Sequence, residues 1–494
     1  MESPATGESR TGRQRALVPV LVSLGMLVAV VSSLGAPLVP TIAAEEHVSL
    51  NDAQWSLTVT LLVGAVVTPV MGRLGDGPRR RPVILGALVA VLAGCVLAAL
   101  PLGFGCLVTG RALQGLGLGL TPLAIATARD ALPPERSRPA VALLSITTVA
   151  GVGLGYPVTG LIAQSFGLYA GFWFGAAVSV LALVAAVVVL PPSPRRAAPR
   201  LDVPGAVLLG AALAGLLLAL SEAELWGWHS VRLLVLAGIC LLLLGVWVVH
   251  ELRTAQPLVD LRLTRNRTVL TANVTALVAG LGMYLLLSLV TRFAQTPHEA
   301  GYGFGASVAV TGLVLLPFSL ASLAAGRVVP LLARRATIAV VLPLGCAVSL
   351  AAVLAFALVR GQLWELFAIM AVAGFGIGWM FAVMPGMIVG SVPAHETGSA
   401  MSFNQVLRYV GYSTGSVLSA AVLQAHTTAG SALPTGDGYR TAALLACGVW
   451  AAMILATAVL PPRRRRTAVA ASVPGQTAVS GTQGKDADRQ EAAR

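Results

Sequence analysis

Fourteen apolar stretches, each long enough for a helix to cross a bilayer, run through this sequence and are parted by short polar segments rich in arginine. They fall at 16–40, 54–72, 82–100, 103–127, 139–163, 168–191, 204–221, 232–250, 269–291, 304–329, 337–359, 362–390, 398–424 and 441–461. A crossing helix needs roughly 20 apolar residues. Hydrocarbon offers the backbone no hydrogen-bond partner, so a segment of this length must bond to itself as a helix. The expected fold class is therefore all-α integral membrane, with 14 transmembrane helices. Composition agrees: 56% of the 494 residues are hydrophobic and 11% are charged, against about 25% charged in a soluble domain. The first stretch follows Arg10, Arg13 and Arg15 as a secretory signal would. It runs past signal length into further spans, and reads as a retained helix.

Arginine positions set the expected orientation. With the N-terminus in the cytoplasm, 27 of the 33 basic residues fall on the inner side, four fall outside (Arg232, Arg292, Arg360, Arg440), and Arg111 and Arg408 lie within spans. Both termini are then cytoplasmic, in a multi-pass protein of the plasma (inner) membrane. The net charge of +13 belongs to this loop pattern and not to a nucleic-acid surface. The five cysteines have no CxxC spacing and the six histidines no ligand spacing. No metal site, no cofactor and no enzyme chemistry is expected. The polar tail from 462 to 494 lacks the apolar content for a core.

Four segments carry polar chemistry. The turn Gly72-Arg73-Leu74-Gly75-Asp76-Gly77-Pro78-Arg79-Arg80-Arg81 must lie at the membrane surface, since it is too short and too cationic for hydrocarbon. Its acid can hold one conformation through ion pairs, or the turn can serve orientation alone. Within 103–127, Arg111 sits roughly 12 Å from the helix end at 1.5 Å per residue, with Gln114 on the same face. An arginine facing lipid there would cost at least ~2.5 kcal/mol, so it should face a central cavity, or be a structural residue satisfied by backbone carbonyls. Gly151, Gly155, Pro157 and Gly160 give close helix approach and a bend. In 398–424, Asn404, Gln405 and Arg408 combine amides with a second buried arginine and should line the cavity from the other half, with Trp55, Asn273 and Tyr284 adding contacts.

These motifs resemble the major facilitator superfamily of transporters, and the span count together with Leu225-Trp226-Gly227-Trp228 and Pro257-Leu258-Val259-Asp260-Leu261-Arg262-Leu263 resembles its fourteen-span drug:proton antiporter branch. The resemblance implies the major facilitator fold, two six-helix bundles plus two inserted central helices. On this chain the parts are a tail to 15, a bundle at 16–191, a linker at 192–203, an inserted pair at 204–252, a linker at 253–268, a bundle at 269–461 and the tail from 462. It implies a conformational latch of Asp76, Arg80 or Arg81, and Asp130, and an antiporter-like motif in the fifth span. Proton-driven members carry an aspartate in the first span; the corresponding residue is Val31. No acid lies near the middle of any span, which leaves Glu365 and Asp76 as candidate proton sites. Two arginines without a central acid favour neutral or anionic amphiphiles. The implied function is export of a drug, antibiotic or secondary metabolite by alternating access. An uncoupled facilitator or importer, and a non-transporting receptor or scaffold, are the alternatives. Expected partners are a small-molecule substrate, the lipid bilayer and protons, with the chain acting as a monomer and no nucleic acid involved.

Overall fold

The computed structural model describes residues 5–459 apart from 35–37, 195–196, 198–199, 228–229, 333–337 and 428–432, with some helical residues described by backbone alone. The predicted tail from 462, Arg195, Arg196 and Trp228 lie outside the described residues, as do the side chains of 5–15. The described residues form α1 (Ala5–Ser33), α2 (Val39–Glu45), α3 (Leu50–Gly75), α4 (Arg80–Ala99), α5 (Phe104–Gly115), α6 (Leu120–Ala131), α7 (Pro134–Phe166), α8 (Leu168–Val189), α9 (Val203–Trp226) and α10 (Val231–Arg253). They continue with α11 (Arg267–Gln295), α12 (Val308–Leu332), α13 (Ile338–Leu358), α14 (Leu363–Val389), α15 (Thr397–Ala425) and α16 (Gly436–Val459). Helix therefore occupies each of the fourteen apolar stretches, and among the described residues ten helices are long and apolar enough to cross a membrane.

Helix ends follow the local chemistry. Ser49 caps α3 by accepting the Asp52 N–H at 3.0 Å, Asp202 caps α9 through Gly205, and Asn266 caps α11 through Thr268. Each satisfies a backbone donor that the helix leaves open. Two boundaries differ from the sequence reading. The span expected at 16–40 ends at Ser33, and the short α2 follows, with Pro40 in its first turn, where a missing N–H leaves no bond unmade. The span expected at 103–127 is two helices joined by a 3₁₀ turn over Leu116–Gly119. Gly115, Gly117 and Gly119 alternate there, and glycine weakens a helix interior.

Packing divides the helices into sets. α1 and α3 to α8 pack among themselves, as do α11 to α16. The sets meet where α3 crosses α15, where α7 lies on α12 and α14, and where α6 touches α15. α9 pairs with α10 and also lies against α3 and α15. The outward faces of α8 and α10 are apolar and open, with Leu181, Val188, Leu241 and Leu242 each more than 60% exposed. Exposed surface of this kind is what hydrocarbon covers.

Candidate functional site

The end of the bundle that holds the Gly72–Ile84 loop, called the basic end below, carries the densest polar bonding between the two sets of helices. Asp76 follows the last turn of α3 and is 3% exposed. Its Oδ1 accepts the Gly398 N–H at 2.6 Å; its Oδ2 accepts the Ser399 N–H at 2.9 Å and the Ser399 hydroxyl at 2.6 Å. These are the first residues of α15, so the carboxylate closes open donors at the positive end of a long helix. The contact needs two glycines. A Cβ on Gly398 would sit 2.6 Å from the Gly72 carbonyl oxygen and 2.7 Å from Asp76 Oδ1, and one on Gly72 would meet Gly398 and Ser402.

Two further arginines hold the same segment. Arg73 Nη1 pairs with Glu396 Oε1 at 3.1 Å. Arg129, at the end of α6, donates to the Val392 carbonyl at 3.0 Å and to the Thr397 hydroxyl. Arg80 Nη1 pairs with Asp130 at 2.7 Å and reaches the Ala126 carbonyl, while its Nε donates to the Gly75 carbonyl at 2.7 Å. Arg81 turns away to the Val187 carbonyl, and its backbone N–H meets Ser193. Of the four residues read as one latch, the structure thus joins Arg80 to Asp130 inside one set. It sends Asp76 alone across to the other. Arg73, Arg129, Glu396, Gly398 and Ser399 were not anticipated. Burial pushes the Asp76 carboxyl up to about 6; the Ser399 and Gly398 donors pull it down, and the nearby Glu396 charge adds a further push upward.

The centre holds the two buried arginines in different roles. Arg111 is 1% exposed. It donates from Nε to the Ser56 carbonyl at 3.0 Å, and from Nη1 to the Val31 carbonyl at 3.0 Å and Gln114 Oε1 at 2.6 Å. It therefore ties α5 to α1 and α3 through main-chain oxygens, and Val31, the position where an aspartate was looked for, supplies one of them. Trp55 is half-buried beside Ser56. Arg408 is fully buried. Its guanidinium lies 4.4 Å over the Phe381 ring and donates from Nη2 to Ser145 on α7 at 3.0 Å. Its Nε and Nη1 make no hydrogen bond of good geometry among the described residues, but the Tyr412 side chain lies within reach of the guanidinium. Tyr409 reaches the Leu118 carbonyl in the 3₁₀ turn at 3.5 Å, and Tyr284 stacks on Tyr412 with centroids 4.6 Å apart.

The other candidate positions lie apart from this centre. Asn404 Nδ2 donates to Asn273 Oδ1 at 3.0 Å, closer to the basic ends of α15 and α11, and Gln405 is buried next along α15. Glu365 belongs to a capping box at the start of α14, where Oε2 accepts the Gln362 N–H at 2.9 Å. Gly151 faces Ala29 of α1, and Gly155 is buried. Pro157 and Gly160 fall among residues described by backbone alone.

Bonding to three other groups implies that Arg111 is a clamp. Arg111→Ala should lower the thermal unfolding midpoint of purified protein, since it leaves two buried carbonyls and Gln114 short of partners at about 1–3 kcal/mol each. An unchanged midpoint with lost substrate binding would place Arg111 at the ligand instead.

The structure is an all-helical membrane bundle with polar contacts between its two sets of helices and a buried cation at its centre. Comparison with known proteins gives the family: the Major Facilitator Superfamily matches residues 21–416 and 272–482, and the chain belongs to it. It is a transporter and not an enzyme. It is 28% identical over 407 residues to the tetracenomycin C resistance and export protein of Streptomyces glaucescens, covering 80% of this chain and 73% of that one. It is also 28% identical to the probable actinorhodin transporter of Streptomyces coelicolor, covering 76% of this chain and 66% of that one. The match spans 58% of a longer uncharacterised MFS-type transporter of Mycobacterium tuberculosis. The crystal structure of the human organic anion transporter MFSD10 shares the fold, with a TM-score of 0.63 at 18% identity, covering 90% of this chain and 99% of that one.

Proposed function

We propose that the protein exports a small neutral or anionic amphiphile, an antibiotic or secondary metabolite, by alternating access across the plasma membrane, driven by protons. Relatives named as a tetracenomycin C resistance and export protein and a probable actinorhodin transporter, similar over at least 76% of this chain, carry the reading. Fourteen spans with both termini in the cytoplasm put the basic end inside. The bundles at 16–191 and 269–461 then rock about their interface, with the inserted pair 204–252 riding between α3 and α15, and the chain acts as a monomer. Release of Asp76 from α15 opens the inner side. The buried Arg408 guanidinium, with Tyr412 beside it, suits a hydrogen-bond-accepting group, and the Tyr284–Tyr412 stack suits an aromatic body.

Uptake of an aromatic polyketide into inverted vesicles tests this. Arg408→Gln should cut uptake by about tenfold, equivalent to about 1.4 kcal/mol of lost binding, at unchanged protein level. Vesicles that carry only cationic dyes, with Arg408→Gln as active as wild type, would sink the substrate class. A second reading, an uncoupled facilitator, is favoured by Val31 standing at the position where proton-driven members carry an aspartate, with only its main-chain oxygen accepting from Arg111. Collapse of the pH gradient decides: uptake that continues at the same rate excludes coupling.

A further inference from the structure

Glu251, near the basic end of α10, is an acid that neither the Asp76 contact nor the buried centre uses. It is 0% exposed. Its Oε1 accepts the Trp247 indole N–H at 2.8 Å, one turn back along α10. Its Oε2 accepts the Val259 N–H at 3.3 Å from the segment 254–266, called the strap below, which joins α10 to α11. Both donors are neutral, and no cation pairs with Glu251 among the described residues. The neighbouring His250 is spent on Asp202, with Nε2 3.0 Å from both carboxylate oxygens. Asp202 stands across Gly205 from Glu251: a Cβ on Gly205 would lie 2.4 Å from Asp202 Oδ2 and 2.9 Å from Glu251 Oε1. Two carboxylates thus face one gap with a single imidazole for both. The other charges nearby are engaged elsewhere. Asp260 accepts the Arg262 N–H, and Arg262 donates to the Leu252 and Thr254 carbonyls. Glu396 at the start of α15 pairs with Arg73 of α3, and Arg253 is exposed. An ionised Glu251 would therefore be a buried charge without a counter-ion, which is costly.

The groups that Glu251 holds lie against α15. The Trp247 ring packs on Phe403 with centroids 6.1 Å apart. Leu258 and Val259 of the strap are 1% and 3% exposed. Val259 and Leu263 face Glu396, Ala400 and Phe403 across a space of about 10 Å³. α9 lies against α3 of one set of helices and α15 of the other, so movement between the sets must break one of those contacts. The approach to α3 is tight: a Cβ on Gly210 would lie 3.0 Å from Val66. We propose that Glu251 is a positioning residue whose protonation ties the inserted pair and its strap to the start of α15. Packed against α15, Glu251 lacks a counter-ion and holds a proton. Parted from α15, with α9 still on α3, it meets water and gives the proton up. Packing is then favoured as pH falls and lost as pH rises. His250, its side chain 30% exposed, is the member of the cluster in touch with solvent. The device does not depend on the export reading, since it is measured on purified protein without substrate.

Spin labels at the exposed positions Ala255 on the strap and His395 before α15 test it on the full chain in detergent. An Asp76→Asn background removes the response of the Asp76 carboxylate. The short-distance population should fall about tenfold between about pH 5 and about pH 8. Glu251→Gln should make it independent of pH. Trp247→Phe keeps a ring on Phe403 and removes one donor to the ionised carboxylate, so the transition should move up by about one pH unit. A purely structural Glu251 would leave the pH profile where it was. A response of unchanged size in Glu251→Gln, or an unmoved transition in Trp247→Phe, would overturn the proposal. Vesicle uptake that ignores the pH gradient would sink proton-driven export and leave this result standing.

Discussion

An Asp76→Asn protein should reach the membrane in normal amount and lose most of its transport. The carboxylate uses both oxygens, one for the Gly398 N–H and one for the Ser399 N–H and hydroxyl. An amide offers one oxygen and must turn its NH₂ toward one of those donors. Hydrogen bonds to a charged group contribute about 1.5–3 kcal/mol each, so losing one or two shifts the balance between latched and released states by roughly tenfold to several hundredfold. A protonated aspartic acid is different. It keeps two acceptor oxygens and can return its proton to the Ser399 hydroxyl, which is free to reverse its role.

That difference makes the latch pH-dependent in a stated direction. The Asp76 carboxyl is raised from 3.8 to about 6 by burial in the latched arrangement. In the released one it faces water and should lie near the ordinary value. Above pH 6 both arrangements are ionised and pH has no effect. As pH falls from about 6 to about 4 the latched form takes up a proton that the released form does not, so the latch gains; the gain is lost again as pH rises through 6. Arg73 and Glu396 neighbour the site but pair with each other. Spin labels at the exposed positions Arg79 and His395 read the gap directly, and the second label also removes a neighbouring imidazole. The short-distance population should grow between pH 7.5 and pH 5 in the wild-type background and stay flat in Asp76→Asn. Full transport by Asp76→Asn would reduce the loop to an orientation signal.

What the sequence disclosed follows a physical division. Apolar length is local, so helix appears at each of the fourteen stretches. Charge is also conspicuous, so Asp76, Asp130 and the loop arginines stand out, and one of the pairings looked for, Arg80 with Asp130, forms. The partners of Asp76 could not be read in the same way. Gly398 acts through a backbone N–H that every residue except proline carries, Ser399 through its N–H and a hydroxyl found on many serines, and only the start of α15 against Gly72 singles them out. The same holds for Arg111: the residue was legible and its site was not, because its acceptors are the carbonyls of Val31 and Ser56. Ser145 and Phe381 around Arg408 carry no distinguishing pattern in their own stretches. The break between α5 and α6 did have a signal, the alternating Gly115, Gly117 and Gly119, where the 3₁₀ turn puts the Leu118 carbonyl against Tyr409.

Gly374→Val should be the most damaging single change to the fold itself. In sequence, Gly374-Phe375-Gly376-Ile377-Gly378 looks like a nucleotide loop until its place inside an apolar stretch rules that out. In the structure Gly374 and Gly378 form the face of α14 against α12, and Gly376 lies on the far side against α13. A Cβ on Gly374 would overlap the Phe318 carbonyl oxygen and lie 2.6 Å from its carbon; one on Gly378 would lie 2.6 Å from the Ser322 Cα; one on Gly376 would lie 2.8 Å from the Ser349 N. The obstacles at Gly374 and Gly378 are the main chain of α12, which cannot swing aside as a side chain can. Small residues at spacing four let backbones approach this closely, and forcing methyl groups into such a crossing typically costs about 1–3 kcal/mol, more where backbone must move. Displacing α14 also moves Phe381, on which the Arg408 guanidinium rests, so the injury reaches the centre. Gly374→Val should therefore reduce the yield of detergent-extracted, monodisperse protein and lower its unfolding midpoint, and the remaining protein should not transport. Gly386 lies in the same helix, and a methyl group added there would have nothing within 4 Å. Gly386→Ala should unfold at or above the wild-type temperature because alanine is the better helix former by about 1 kcal/mol. Equal behaviour of the two substitutions in size-exclusion and thermal-unfolding measurements would show that α12 and α14 are not held by this crossing.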